Sequence, residues 1–506
     1  MASRQQPRKL KTTDAAFIMM ETEQAPMHVA SVELMELPRG VTPDNFIEGL
    51  QTFISERLDL IPYLTNRLQF SPLNFDQPVW VRDEDFDIAR HIYRVDAPAP
   101  GGQAELEATV ARLHEAPMDR AHPLWEYAVI CGLENNRVAY YSRIHHCAID
   151  GVSGNAATQL LMDESPDHSA RELPAPAPES HLGDHTPAEL WLAGIENLTR
   201  SAVDLATNSM GLFETGIKLL QRTLNPGAGL GAALERAPRT RFNAPVTGER
   251  AYAIGELPLK DAKALAKGAK VTVNDVFLAV CGGALRRYLR RTGELPSRPL
   301  LAGCPVSLQP DPSAMDSNFL TMMKVSMGTH IEDPIRRLKH VSASANAAKS
   351  VTADSALALD NRVSFAGLPA LMNGAARLNE SLGLTRWVEA PVNLIVSNVP
   401  GPRAPLYSNG AKMLAHYPVS IPAHGNAVNI TVQSYVDGMY FAVTGCARAL
   451  PDAAVLRDDL LAAFEQLCAA MRSSVVSLPA VEIPKTEQPT PKQSDGRSSQ
   501  GSAQVA

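Results

Sequence analysis

The sequence predicts a mixed α/β protein of two domains, and three observations carry that expectation. The chain has 506 residues, too many for one ordinary core, so two units of roughly 200 residues plus linkers are expected. Apolar runs at helical spacing alternate with short runs rich in β-branched and aromatic residues, which reads as helix mixed with sheet. Hydrophobic residues make up 45% and charged residues 20%, a globular composition.

Composition also excludes several classes. A formal net charge of -7 argues against nucleic-acid binding, because phosphate neutralisation needs a strongly basic face. The cysteines at 131, 147, 281, 304, 446 and 468 are scattered with no Cys-x-x-Cys, so neither a zinc knuckle nor a disulfide framework is indicated and a reducing, cytoplasmic setting is expected. No metal site is expected. No run approaches the ~18 apolar residues of a spanning helix, so any membrane contact would be peripheral.

The elements follow in chain order. Residues 1–13 are polar and basic (Arg4, Arg8, Lys9, Lys11) and lack the apolar core of a secretory signal. A first domain is expected over 14–162, with helices at 46–57 and 104–115 and strands at 125–130 and 137–144. Residues 153–162 read as a helix. The stretch 163–250 is expected to be a linker and crossover helix. It opens with a Pro-rich segment (Pro174, Pro176, Pro178) and continues as a helix over 187–224, striped by Trp191, Ile195, Leu198, Ala202, Leu205 and Leu212. Mixed charges on that helix, Glu189, Glu196, Asp204 and Glu214 against Arg200, Lys218 and Arg222, favour packing on its own domains over lying on lipid. A second domain is expected over 251–474, and the Pro-, Ser- and Gln-rich tail at 475–506 should be disordered.

The segment His145-His146-Cys147-Ala148-Ile149-Asp150-Gly151 constrains function most. It follows the apolar strand candidate and joins it to a helix. A histidine with an aspartate four residues on can hold an imidazole ready to accept a proton near neutral pH. Gly151 permits a backbone conformation that a side chain would block. Three other readings compete: half of a metal site lacking further ligands, a nucleophilic Cys147, or two core histidines meeting by chance.

Further motifs narrow the field. Thr13-Asp14-Ala15-Ala16-Phe17, Pro26-Met27-His28-Val29, Pro123-Leu124-Trp125-Glu126, Val273-Asn274-Asp275-Val276 and Ser397-Asn398-Val399-Pro400-Gly401-Pro402 occur in that order around the histidine segment. Together they resemble the bacterial wax ester synthase/diacylglycerol acyltransferase family, over about residues 10–470. That family belongs to the coenzyme A-dependent acyltransferase superfamily, with its His-His-x-x-x-Asp-Gly signature. The Asp-Phe-Gly-Trp-Gly segment of plant relatives is absent, as is a Gly-x-Ser-x-Gly elbow.

The resemblance implies two chloramphenicol-acetyltransferase-like domains with the active site in a channel at their interface. It implies His146 as the general base, with His145, Asp150 and Gly151 supporting the loop. The implied substrates are acyl-CoA and a long-chain alcohol or diacylglycerol, with no separate cofactor, and the implied location includes the inner membrane or lipid inclusions. Two rivals remain: a condensation-type enzyme using a carrier-protein thioester or an amine acceptor, and a non-catalytic lipid-surface protein of the same fold.

Two supporting groups follow. Thr272 and Asp275 read as a capping box at a helix start, and the free amides there suit an oxyanion, which makes Asn274 a candidate substrate or oxyanion contact. Arg286, Arg287, Arg290 and Arg291 cluster near the end of the same helix. They either complement the helix dipole or, through Arg287 and Arg291, receive CoA phosphates.

Overall fold

The computed structural model describes residues 8–148, 157–167, 183–200, 236–307, 320–356 and 367–476. Asp150, Gly151, the 201–224 part of the crossover helix and the tail beyond 476 lie outside the described residues.

The first half runs α1 (Thr12–Met20), β1 (His28–Glu36), α2 (Pro43–Ser55), the hairpin β2 (Asn66–Gln69) and β3 (Val79–Arg82), then α3 (Ile88–His91), β4 (Ile92–Asp96), α4 (Gln103–Leu113), β5 (Trp125–Leu133) and β6 (Arg137–His145). A helical stretch, α5, covers residues 187–200. Helix α2 starts earlier than its apolar spacing alone predicts, because Thr42 caps the amide of Asn45 and Pro43 occupies the first turn. It stops at Ser55, which frees Arg57 to turn inward under Phe53 and pair with Asp163 at 3.2 Å.

The second half runs β7 (Arg250–Pro258), α6 (Leu259–Ala269), α7 (Val273–Arg291), β8 (Leu301–Ser307), β9 (Leu320–Ser326), α8 (Pro334–Ala356), α9 (Leu368–Leu382), β10 (Leu394–Val399), β11 (Tyr407–Ser408), β12 (Ala411–Val419), β13 (Val428–Tyr435), β14 (Gly438–Cys446) and α10 (Ala453–Val476). Its six-stranded sheet has the order β7-β14-β13-β10-β8-β9, parallel only where β10 meets β13 and β8. Helix α7 is buried nearly all round (Val276 to Leu285, Tyr288, Leu289), because it is packed against both α10 and α8.

The linear division into two domains is crossed once. The first sheet has the order β11-β12-β1-β6-β5-β4, so two strands from the second half complete it. Strand β12 pairs antiparallel with β1, setting Glu33 opposite His416. Both faces of the first sheet are therefore covered. Tyr140 of β6 joins a cluster with Phe46 and Leu50 of α2, while Tyr141 joins one with Tyr252 and Ile254 of β7. Burial on both faces explains why β5 and β6 read as continuous apolar runs.

Helix α5 differs from its expectation. Leu190 is buried with Val79 and Val81, and Trp191 meets Phe75 at 4.5 Å between ring centroids. Leu192, Ile195 and Leu198 remain exposed, because the small β2–β3 hairpin beneath is too narrow to cover the whole stripe.

Candidate active site

Strand β6 delivers the histidine pair to the junction of the two halves. His145 is its last residue, and its amide donates to the carbonyl of Leu124. The Pro123-Leu124-Trp125 motif is thus the start of β5 beside the loop. The Trp125 Nε1–H donates to the Leu64 carbonyl at 2.9 Å, and its ring stacks on His91. Glu126 holds Arg143 of β6 through two oxygens, at 3.0 and 2.9 Å. Arg143 also donates to the carbonyls of Leu113 and Ala116 beyond α4. Trp125 and Glu126 of this motif are thus held by packing and pairing.

The two histidines are held differently. His145 is fully buried, and its Nδ1 accepts from the Cys147 amide at 3.1 Å. That contact places the ring proton on Nε2, which donates to Glu21 Oε2 at 2.7 Å. The Glu21 carboxylate also accepts from the Met27 amide and from Arg120. Burial pushes the Glu21 carboxyl up, but the donors His145, Arg120 and Met27 outweigh it and leave the carboxyl below its ordinary value.

His146 is half-buried, its amide donates to the Met27 carbonyl at 2.9 Å, and its ring stacks on Phe17 with centroids 4.0 Å apart and planes 11° from parallel. Backbone and ring are both fixed, while the imidazole keeps an exposed portion. Burial holds the Cys147 thiol well above its ordinary value, so it stays protonated and unsuited to nucleophilic attack.

Of the residues that brace the pair, Phe17 and Met27 come from the first two motifs and Glu21 from the stretch between them. Helix α1 ends at Met20, and Glu21 follows immediately. Phe17 and Met27 both pack against a cluster that contains Val246, Ala427 and Cys446 of the second half. The N-terminal motif therefore lies between the histidine loop and the second half. Sequence reasoning missed Glu21 and the stacking role of Phe17. The signal available was an acid directly between an apolar helix and the Pro-Met-His-Val run.

Asn274 stands at the start of α7, and its Oδ1 accepts from Asn398 Nδ2 at 3.2 Å. The structure thus brings the fourth and fifth motifs together. Asp275 closes a capping box with Thr272 and accepts from Ser342 at 3.1 Å. Arg287 and Arg291 lie about 20–25 Å further along the helix at ~1.5 Å per residue. Both pair with the buried Asp459 of α10, Arg291 at 2.8 Å and Arg287 at 3.3 Å, so a CoA phosphate would have to compete with that carboxylate. Arg286 and Arg290 approach Glu332.

Two mixed sheets, the first completed by two strands from the second half, with a braced histidine pair at the junction of the halves, define the two-lobed acyltransferase architecture. The sequence profile of the wax ester synthase/diacylglycerol acyltransferase catalytic domain matches residues 10–277, and that of the WS/DGAT C-terminal domain matches residues 317–468. The chain belongs to the wax ester synthase/diacylglycerol acyltransferase family. It is 34% identical over 452 residues to O-acyltransferase WSD of Acinetobacter baylyi, covering 88% of this chain and 93% of that one. Among solved structures, the wax ester synthase/diacylglycerol acyltransferase of Marinobacter aquaeolei VT8 superposes with a TM-score of 0.65 at 28% identity, covering 92% of this chain and all of that one. The starter condensation domain of rhizomide synthetase, solved in complex with C8-CoA, shares the fold at a TM-score of 0.53 and 15% identity, covering 92% of this chain and 95% of that one.

Proposed function

We infer that the chain transfers a long-chain acyl group from acyl-CoA to the hydroxyl of a long-chain alcohol or diacylglycerol, with His146 as general base. The carrying observation is His146, whose imidazole stacks on Phe17 and whose backbone amide donates to the Met27 carbonyl, beside a His145 whose tautomer Glu21 fixes. An alcohol is too weak an acid to ionise in water at neutral pH. His146 takes its proton as the oxygen attacks the thioester carbonyl, the C–O bond forms, and collapse of the tetrahedral intermediate breaks the C–S bond. The proton on His146 then passes to the departing CoA thiolate. No acyl-enzyme is needed, so both substrates bind together.

General-base catalysis supplies typically about 10²–10⁴-fold. The remainder comes from positioning and from donors at the oxyanion. The Asn274–Asn398 pair is the candidate for that second part, and Asp150 and Gly151 are assigned to shaping the loop. Amine or carrier-protein acceptors are not favoured, because the likeness to condensation domains stands at the level of fold alone, whereas the closer sequence similarity is to O-acyltransferases. The test is thiol release from palmitoyl-CoA with and without hexadecanol, with the ester product identified. Release that depends on hexadecanol and yields palmityl palmitate is expected. Equal release without the alcohol contradicts the reading.

A further inference from the structure

The exposed large apolar side chains of the described residues are not scattered. All but Met322 fall on four segments: Met20 at the end of α1, Leu73 in the turn after β2, the α5 stripe, and α9 with the turn that follows it. These segments share one side of the molecule. The Gly367 amide, at the start of α9, donates to the Phe75 carbonyl, and the Phe75 ring meets Trp191 of α5 at a tilt of 43°. Asn373 of α9 donates to the Met19 carbonyl of α1.

Helix α9 has two faces with different chemistry. Its inner side carries Met372, packed near Ile18 and Cys147, and Glu380, which accepts from the Gln24 amide. Asn373, Arg377 and Glu380 also line an open cavity of about 450 Å³ with Glu21, Met118 and Arg120. Its outer side presents Leu371, Leu378 and Leu382 at spacings of seven and four, one helical stripe. The stripe continues into Trp387 and Val388, which are 83% and 64% exposed. Arg377, at the edge between the two faces, and Arg386 flank it with no ion pair among the described residues; Glu380 is turned to the protein and Glu389 is exposed beside the stripe, while on α5 the exposed Glu196 lies 3.9 Å from Arg200.

We propose that this side, α5 and α9 with the turn to Val388, docks on a lipid surface and takes the hydroxyl-bearing acceptor directly from it. Contiguous apolar surface on this scale marks an interaction site. A tryptophan beside an apolar stripe flanked by arginines suits the boundary between headgroups and acyl chains, with anionic headgroups meeting the guanidiniums. The cavity beneath α9 connects this face to the residues that brace the histidine loop. Its floor is Glu21, the residue that holds His145. No single described helix is long and apolar enough to cross a membrane.

The inference rests on the proposed acceptor class, and the experiment separates the two. The full chain is sedimented with phosphatidylcholine/phosphatidylglycerol vesicles carrying hexadecanol, and compared with a Leu378→Glu/Trp387→Glu variant. Both positions are exposed, so the fold should be kept, as circular dichroism will report. The variant is expected to partition at least about tenfold more weakly. Its kcat/KM for vesicle-borne hexadecanol should fall in step, while turnover of a water-soluble short-chain alcohol stays unchanged. Equal partitioning of the two proteins overturns the docking face. So does a variant that changes only the self-association of the chain by light scattering, or one that loses the soluble reaction equally. Absence of transfer to either alcohol would count against the proposed reaction, while the sedimentation arm would still read the docking face.

Discussion

A single carboxylate, Glu21, decides the state of His145. With Nδ1 accepting from Cys147 and Nε2 donating to Glu21, the ring has one tautomer and one orientation, and the backbone that carries His146 inherits that rigidity. Glu21→Ala strands the buried Nε2–H of His145 and takes one acceptor from the partly exposed Arg120, which costs about 1–3 kcal/mol. Because Glu21 positions the loop without touching the reacting atoms, kcat should fall while KM for acyl-CoA stays within about twofold. Glu21→Gln keeps one accepting oxygen and should recover part of the loss. A variant that lowers stability but leaves kcat intact would reduce Glu21 to a packing role.

Glu33 and His416 form a second buried pair, with their side chains 3.4 Å apart where β12 enters the first sheet. Burial pushes the Glu33 carboxyl from 4.5 up to about 7, against hydrogen bonds from Ser142 and Ser31. Burial also pushes the His416 imidazole from 6.5 down to about 4. The signs oppose each other. Glu33 alone makes stability fall as pH rises from about 4.5 to 7, since the folded state then binds more protons. His416 alone makes stability fall as pH drops from about 6.5 to 4, since the unfolded state then binds more. Where those windows overlap, from about 4.5 to 6.5, each state holds one proton, on Glu33 when folded and on His416 when unfolded, so the pair contributes little net slope there. Urea unfolding across pH 4–7 should show His416→Gln losing stability towards pH 7 and Glu33→Gln losing it towards pH 4. The same slope in both variants would contradict the assignment.

Among the elements, α7 is where sequence and structure inform each other best. Its capping box, length and buried face were legible, because Thr272, Asp275 and the apolar run are local signals. Its arginines were not, because their partner Asp459 is 168 residues from Arg291 in sequence. Replacing Arg287 and Arg291 by Ala leaves Asp459 buried without either cation. The expected cost is about 1–3 kcal/mol, discounted because both guanidiniums are roughly half exposed, with KM for acyl-CoA within about twofold. A tenfold rise in KM at full stability would instead support the phosphate reading. The same limit explains α5. Its stripe was visible, but whether that stripe is covered depends on the width of the β2–β3 hairpin, which no local pattern encodes.

At the scale of the whole molecule, the two-domain architecture was legible from length, and the family from five ordered motifs. The exchange of β11 and β12 into the first sheet was not, because strand pairing across hundreds of residues leaves no periodic trace. That exchange ties the halves together behind the histidine loop, while α1 and Glu21 join them in front of it. The junction holds His146, the proposed base, with the proposed lipid face on the side of α9. The central claim, that His146 moves the proton, is tested most directly by single-turnover thiol release from palmitoyl-CoA with hexadecanol present. His146→Ala should react about 10²–10⁴-fold more slowly than the native chain at unchanged stability. Release by that variant at the native rate would contradict the account.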